Sequence, residues 1–268
     1  MRRFSMAPNL EVFGTVRSAG SKRLLPADLH ANIVDSIDVE NQDDLTNLFS
    51  AVRPQVVINC VGLIKQLKDA SNPLSAIPVN SLLPHRLARL CDLIGARFVH
   101  FSTDCVFSGA QGMYREGDQS DAKDLYGRTK FLGEVDYPHA ITLRTSIIGH
   151  ELQGSTSLVG WFLAQQGQVK GFEKAIFSGL PTVELAEVVL DFVLPYPELH
   201  GVYHVSADPI NKYELLRLVA AAYNKTISIV PDQSFMIDRS LDSSRFRAAT
   251  GYQPPTWRKL VEKMQAFG

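Results

Sequence analysis

The sequence predicts an α/β fold: a doubly wound parallel sheet with helices on both faces, followed by a smaller α+β lobe. Three observations carry that expectation. Apolar runs of strand length alternate with segments of helical period over the first 150 residues. Those runs are apolar on both faces, as strands covered from both sides require. Beyond about residue 150 the alternation loosens, which sets a boundary between units 1–149 and 150–268, the second interleaving with the first. A chain of 268 residues with 45% hydrophobic content can bury a core of that size.

EVFGTVR (11–17) and NIVDSIDV (32–39) read as strands, DDLTNLFSAV (43–52) as a helix and QVVINCVG (55–62) as a strand. PHRLARLCDLIG (84–95) is helical in period, RFVHFST (97–103) a strand, YGRTKFLGEVD (126–136) a helix and AITLRTSIIG (140–149) a strand. In the second unit TVELAEVVLDFVL (182–194) and KYELLRLVAAAYN (212–224) are helical, GVYHVSA is a short strand, and a tail containing Pro and Arg follows. In open α/β sheets ligands sit beyond the carboxyl ends of the strands, so the residues after 17, 39, 62, 103 and 149 matter most.

A net charge of -1 without a Lys/Arg block leaves no footprint for nucleic acid or an anionic membrane. No stretch approaches the ~20 apolar residues of a membrane span, and MRRFSMAPNL has no apolar segment behind its basic start. Cys60, Cys91 and Cys105 are odd in number and lack CxxC spacing, which predicts a reduced, cytoplasmic protein without zinc or disulfides. The seven histidines show no ligand spacing, so no metal site is expected.

Tyr126 and Lys130 open the helix that follows RFVHFST, and that strand ends in Ser102-Thr103-Asp104. Strand end and helix start face one crevice. Reduction of a carbonyl needs a hydride from a nicotinamide on one face and a proton from a group already bonded to the oxygen. A phenol of ordinary pKa ~10 needs a nearby cation to serve near neutrality. Positions i and i+4 share a helix face, so Lys130 can supply that cation and hold a cofactor ribose, while Thr103 polarises the carbonyl.

STDCVFSG (102–109) followed by YGRTKFLGE (126–134) resembles the extended short-chain dehydrogenase/reductase family, in its branch of dTDP-4-dehydrorhamnose reductases and related nucleotide-sugar reductases. The resemblance continues through VVINCVG (56–62), PVN (78–80), LRTSIIG (143–149), GVYHVS and DRSLDSSRF (238–246), the last two in the substrate lobe. It implies a Rossmann-type fold, Thr103, Tyr126 and Lys130 as catalytic residues, and a cofactor lined by Cys60, Val61 and Gly62. Arg17 and Ser18 follow EVFGTV, where arginine accommodates a 2′-phosphate and an acidic residue would select NADH, so NADPH is favoured. A solvated loop arginine is the other reading of Arg17. Asp38 and Val39 resemble the adenine-contacting pair, or Asp38 is a turn residue before the helix.

The pattern departs from the family at its start. No GxxGxxG occurs, and VRSAGSKR (16–23) follows what the likeness makes the second strand. A first strand and its phosphate-holding glycine turn are expected but lacking. Either the recorded start is an internal methionine, or the chain is a true truncation that binds cofactor weakly. Trp161 could stack on a base or fill core, Arg239 could pair with a diphosphate or a surface carboxylate, and Asp104 and Lys65 are further substrate candidates.

The activity implied is NADPH-dependent reduction of the 4-keto group of a nucleoside-diphosphate deoxysugar, for surface polysaccharide. A homodimer stays open. The alternatives are a sugar-nucleotide epimerase or dehydratase, disfavoured because Asp104 precedes Cys105 rather than a second carboxylate, and a noncatalytic nucleotide-sensing subunit.

Overall fold

The structure, a computed structural model, describes residues 1–64 and 71–268. The short helix α1 (Arg2–Ser5) precedes strand β1 (Gly14–Thr15), helix α2 (Ala19–Lys22) and strand β2 (Ile33–Val34). β1 and β2 pair in parallel as a sheet of their own, with Gly14 opposite Ile33. Both are shorter than the runs 11–17 and 32–39 predict. At β2 the reason is Ser36, whose φ of 61° leaves the extended region. Helix α3 (Gln42–Val52) starts at Asn41, whose Oδ1 accepts from Asp43 N at 2.9 Å.

The elements that position the site come next. Strand β3 (Val56–Asn59) leads to α4 (Pro73–Ala76), α5 (Leu83–Ile94), β4 (Arg97–Thr103), α6 (Leu125–Leu132) and β5 (Ala140–Thr145). α5 buries Leu83, Leu87, Ala88 and Cys91 along one face and stops where Gly95 takes a left-handed φ of 67°. α6 ends four residues before the predicted 136, because the chain turns at Gly133. The run 140–149 divides: β6 (Ile147–Ile148) leaves the β5 ladder and pairs with β8 (Leu180–Pro181).

Between and beyond them lie α7 (Leu158–Ala164), β7 (Gln168–Phe177), α8 (Thr182–Val188), β9 (Gly201–His204), β10 (Ile210–Asn211), α9 (Lys212–Ala222), β11 (Ser228–Asp238), α10 (Ser244–Thr250) and α11 (Trp257–Phe267). The main sheet has the order β3-β4-β5-β9 and is parallel throughout. Its members are apolar on both faces because both faces are covered. On one side Leu45, Phe49, Leu83, Ala88 and Phe98 form a core with α3 and α5. On the other, Ile141 and Leu143 pack with Val188, Leu215 and Leu260 from α8, α9 and α11. The fold is thus the expected α/β, Rossmann-like one. GVYH, assigned by resemblance to the second lobe, is instead the fourth strand of this sheet.

The second sheet, β10-β7-β11, consists of three strands that the sequence reading left unassigned, β11 the longest of them. Pro231 and the polar exposed face of β11 hid it; the proline is tolerated because β11 is an edge strand, bonded only to β7.

Candidate functional site

The carboxyl end of β4 and the first turns of α6 form the site. Asp124 caps α6 by accepting from Gly127 N at 2.8 Å. Two glycines let this helix lie against the strand ends. A Cβ at Gly127 would run into the Cys105 carbonyl, and one at Gly133 into the Asn80 carbonyl. The glycines of YGRTKFLG are therefore demanded by close approach of backbone.

Thr103 Oγ1 accepts from Cys105 N at 3.1 Å and donates to Asp104 Oδ1 at 3.1 Å. Tyr126 is half-buried. Burial pushes its phenol well above the usual range, while a hydrogen bond with Thr103 works in the opposite direction. Lys130, 6% exposed, donates from Nζ to Phe101 O at 2.7 Å. Burial lowers its ammonium to about 8, against the pull of Glu134. Gly62 sits at the end of the β3 segment with Lys130 Nζ 4.0 Å from where its Cβ would be. Asn80 ties that segment down: its Oδ1 accepts from Leu63 N at 2.9 Å and its Nδ2 donates to Leu63 O at 3.1 Å. The structure thus brings Gly62, Thr103, Tyr126 and Lys130 to one crevice.

Behind the trio lies a buried ionic network. Glu134 Oε1 accepts from Ser102 Oγ at 2.6 Å and from Arg144 Nε at 2.8 Å, and Glu134 Oε2 from Arg144 Nη2 at 2.7 Å. His204 Nδ1 faces the Tyr114 carbonyl at 2.9 Å and so carries the proton there, leaving Nε2 to accept from Arg144 Nη1 at 3.3 Å. Burial, then the neighbouring Arg144, lower His204 to about 4 and keep it neutral. Sequence reasoning missed Glu134 and Arg144. The available signal was an arginine inside the strand AITLRT, whose other residues are apolar or threonine, so that a charge placed there demands a buried partner.

Asp104 is buried, and burial raises its carboxyl against the opposing pull of Arg239. Arg239 is half-buried and donates from Nε to Phe107 O at 2.8 Å, so it is no surface ion-pair residue. It reaches Asp104 because the loop after β4 packs on the end of β11, with Asp238 N bonded to Gly109 O at 2.9 Å.

The remaining candidates lie elsewhere. Arg17 and Ser18 are exposed after β1, Ser18 capping α2. Asp38 shapes the turn before α3, accepting from Glu40 N at 3.0 Å, and Val39 packs toward the α3 core. Cys60 and Val61 are exposed at the end of β3. Trp161 is 37% exposed, so the core-filling alternative fails; α7 turns Val159 and Phe162 inward instead. Lys65 lies outside the described residues. No helix among the described residues is long and apolar enough to cross a membrane.

Residues 14–266 match the family model described as RmlD substrate binding domain. The chain is 36% identical over 131 residues to the "Probable low-salt glycan biosynthesis reductase Agl14" of Haloferax volcanii, covering 47% of this chain and 43% of that one. It is 31% identical over 165 residues to the dTDP-4-dehydrorhamnose reductase of Mycobacterium tuberculosis, covering 56% and 54%. The chain thus spans about half the length of these relatives. A crystal structure of dTDP-4-dehydrorhamnose reductase from Bacillus anthracis in complex with NADP superposes with a TM-score of 0.76, at 18% identity over 96% of this chain and 100% of that one.

Proposed function

Because this chain belongs to the RmlD substrate binding domain family, we propose that its site performs NADPH-dependent reduction of the 4-keto group of a nucleoside-diphosphate deoxysugar, in the cytoplasm, for polysaccharide synthesis. The observation that carries this reading is the convergence of Thr103, Tyr126 and Lys130 at the carboxyl end of β4. The relatives' names and the NADP in the Bacillus anthracis protein support it.

In this reading Tyr126 gives its phenolic proton to the carbonyl oxygen as negative charge develops there. Thr103 turns its hydroxyl from Asp104 to the same oxygen. Lys130 lowers the cost of the phenolate that results, its charge undiminished by any ion pair of its own among the described residues. The nicotinamide, when bound, supplies the hydride. Gly62, Tyr126 and Lys130 fit the nicotinamide-ribose half of that cofactor, since the glycine leaves open the space beside the Lys130 ammonium. Cys60 and Val61 would line it, Arg17 and Ser18 would meet the 2′-phosphate, and Asp38 and Val39 the adenine. Asp104, Arg239, Trp161 and Lys65 are assigned to the substrate, with residues 1–149 as the cofactor unit and 150–268 as the substrate lobe.

Tyr126→Phe tests the reading. It deletes the proton donor and little else, so reduction is lost while NADPH binding persists. Turnover equal to that of the wild type, with chemistry limiting both, overturns the acid role.

A further inference from the structure

Parallel register sets Asn59, His100 and Thr142 side by side across β3, β4 and β5. Two residues further along, on the same face, stand Ser102 and Arg144 of the ionic network. Asn59 and His100 are 2% and 0% exposed, and Asn59 Nδ2 lies 3.2 Å from His100 Nδ1.

The backbone decides the direction of that contact. Val61 N can only donate, and it donates to Asn59 Oδ1 at 3.0 Å. The end of the amide turned to the histidine is therefore Nδ2, which also only donates. Nδ1 accepts, so the ring is a neutral imidazole with its proton on Nε2. Burial, then the nearby Lys130 ammonium, hold His100 well below the usual histidine range and keep it neutral. An imidazolium would meet Nδ2 with a second N–H, so only the neutral ring steadies the amide in this orientation.

The amide in turn holds the chain beside the crevice. Asn59 ends β3 and grips Val61, while Asn80 grips Leu63 through both its N–H and its carbonyl. Residues 60–62 are thus pinned at both ends, and between the pins the open side of Gly62 faces the Lys130 ammonium. The first pin depends on His100. Among the described residues Asn59 Nδ2 has no other acceptor, and an unpaired buried amide would turn away from Val61 in search of one.

We propose that His100 is a positioning residue for the cofactor: its neutral ring, acting through Asn59, fixes the backbone of residues 60–62 against which the nicotinamide ribose lies. This rests on the reading of that segment as a wall of the cofactor site. It gives a task to a side chain that touches no ligand.

Two substitutions separate this task from packing. His100→Phe keeps a ring able to stack on Phe98, as the imidazole does at 6.1 Å between centroids, and removes the acceptor. His100→Asn gives up the ring and places an oxygen where Nδ1 stood. The readouts are amide hydrogen exchange of Val61 in the cofactor-free chain, followed by NMR, and the affinity for NADPH, followed by fluorescence titration. In His100→Phe the Val61 amide is expected to exchange about tenfold faster and the Kd for NADPH to rise about tenfold, the scale of one buried donor left unpaired. His100→Asn should recover most of both. Asn59→Leu cuts the same link from its other end, so it should repeat both losses, and adding His100→Phe to it should change little more. An unchanged Val61 amide in His100→Phe, wild-type affinity for NADPH in that variant, or a His100→Asn variant as impaired as His100→Phe each overturn the inference and leave the cofactor reading standing. A wild type that binds no NADPH overturns the two together.

Discussion

Arg144→Met removes the cation from a buried ion pair and leaves Glu134 in place. The side chains of Arg144 and Glu134 are 4% and 6% exposed, and two of the three hydrogen bonds on the Glu134 carboxylate come from Arg144. After the substitution only Ser102, among the described residues, still donates to it, at 2.6 Å. Breaking a buried pair from one side costs about 3–5 kcal/mol, because an uncompensated charge stays in a medium that cannot solvate it. Methionine fills most of the arginine volume, so little of that loss comes from a cavity. The assay is urea unfolding of wild type, Arg144→Met, Glu134→Gln and the double variant, followed by far-UV circular dichroism. The double variant carries no orphaned charge, so it should lose less than the sum of the single losses by about 0.5–3 kcal/mol. A loss below about 1 kcal/mol for Arg144→Met, the value of an exposed pair, refutes the reasoning, as does an additive cycle.

Gly127→Ala should lower the melting temperature and weaken activity together, because its methyl group meets the Cys105 carbonyl and the helix must shift; overpacking of this kind costs about 1–3 kcal/mol, and an unchanged melting temperature would contradict it. The ammonium of Lys130 titrates at about 8, below the ordinary lysine value of 10.5, so the cation is present below that pH and lost above it. The kcat/KM of reduction is therefore expected to fall as pH rises through about 8, and a profile flat from 7 to 10 would remove Lys130 from the mechanism. The same shift carries a stability sign: between about 8 and 10.5 the unfolded chain holds the proton that the folded one has released, so this lysine's penalty on folding shrinks as pH rises across that window. Arg17→Asp should reverse the preference for NADPH over NADH by tenfold or more, since a charge-assisted contact becomes a like-charge one at ~1.4 kcal/mol per decade; an unchanged ratio of the two affinities would show that Arg17 serves solvent.

Much of the site was legible because its geometry is local. Tyr126 and Lys130 share a face through helix pitch alone, and Thr103 ends the strand that the helix follows in the α/β order, at the end of the sheet where such sites form. The alternation of apolar runs and helical periods likewise determined a covered parallel sheet, since a strand apolar on both faces must be covered on both. Tertiary structure decided whatever joins segments distant along the chain. The glycine spacing of α6 was visible, but its cause, the carbonyls of Cys105 and Asn80, was not. Arg144 meets Glu134 across 10 residues and His204 across 60, pairings that no periodicity encodes. β9 enters the main sheet, and β11 hides its strand character behind a proline on a free edge. A sequence records each segment's preference for a shape and for burial, whereas the partner of a charge is chosen only when those segments pack.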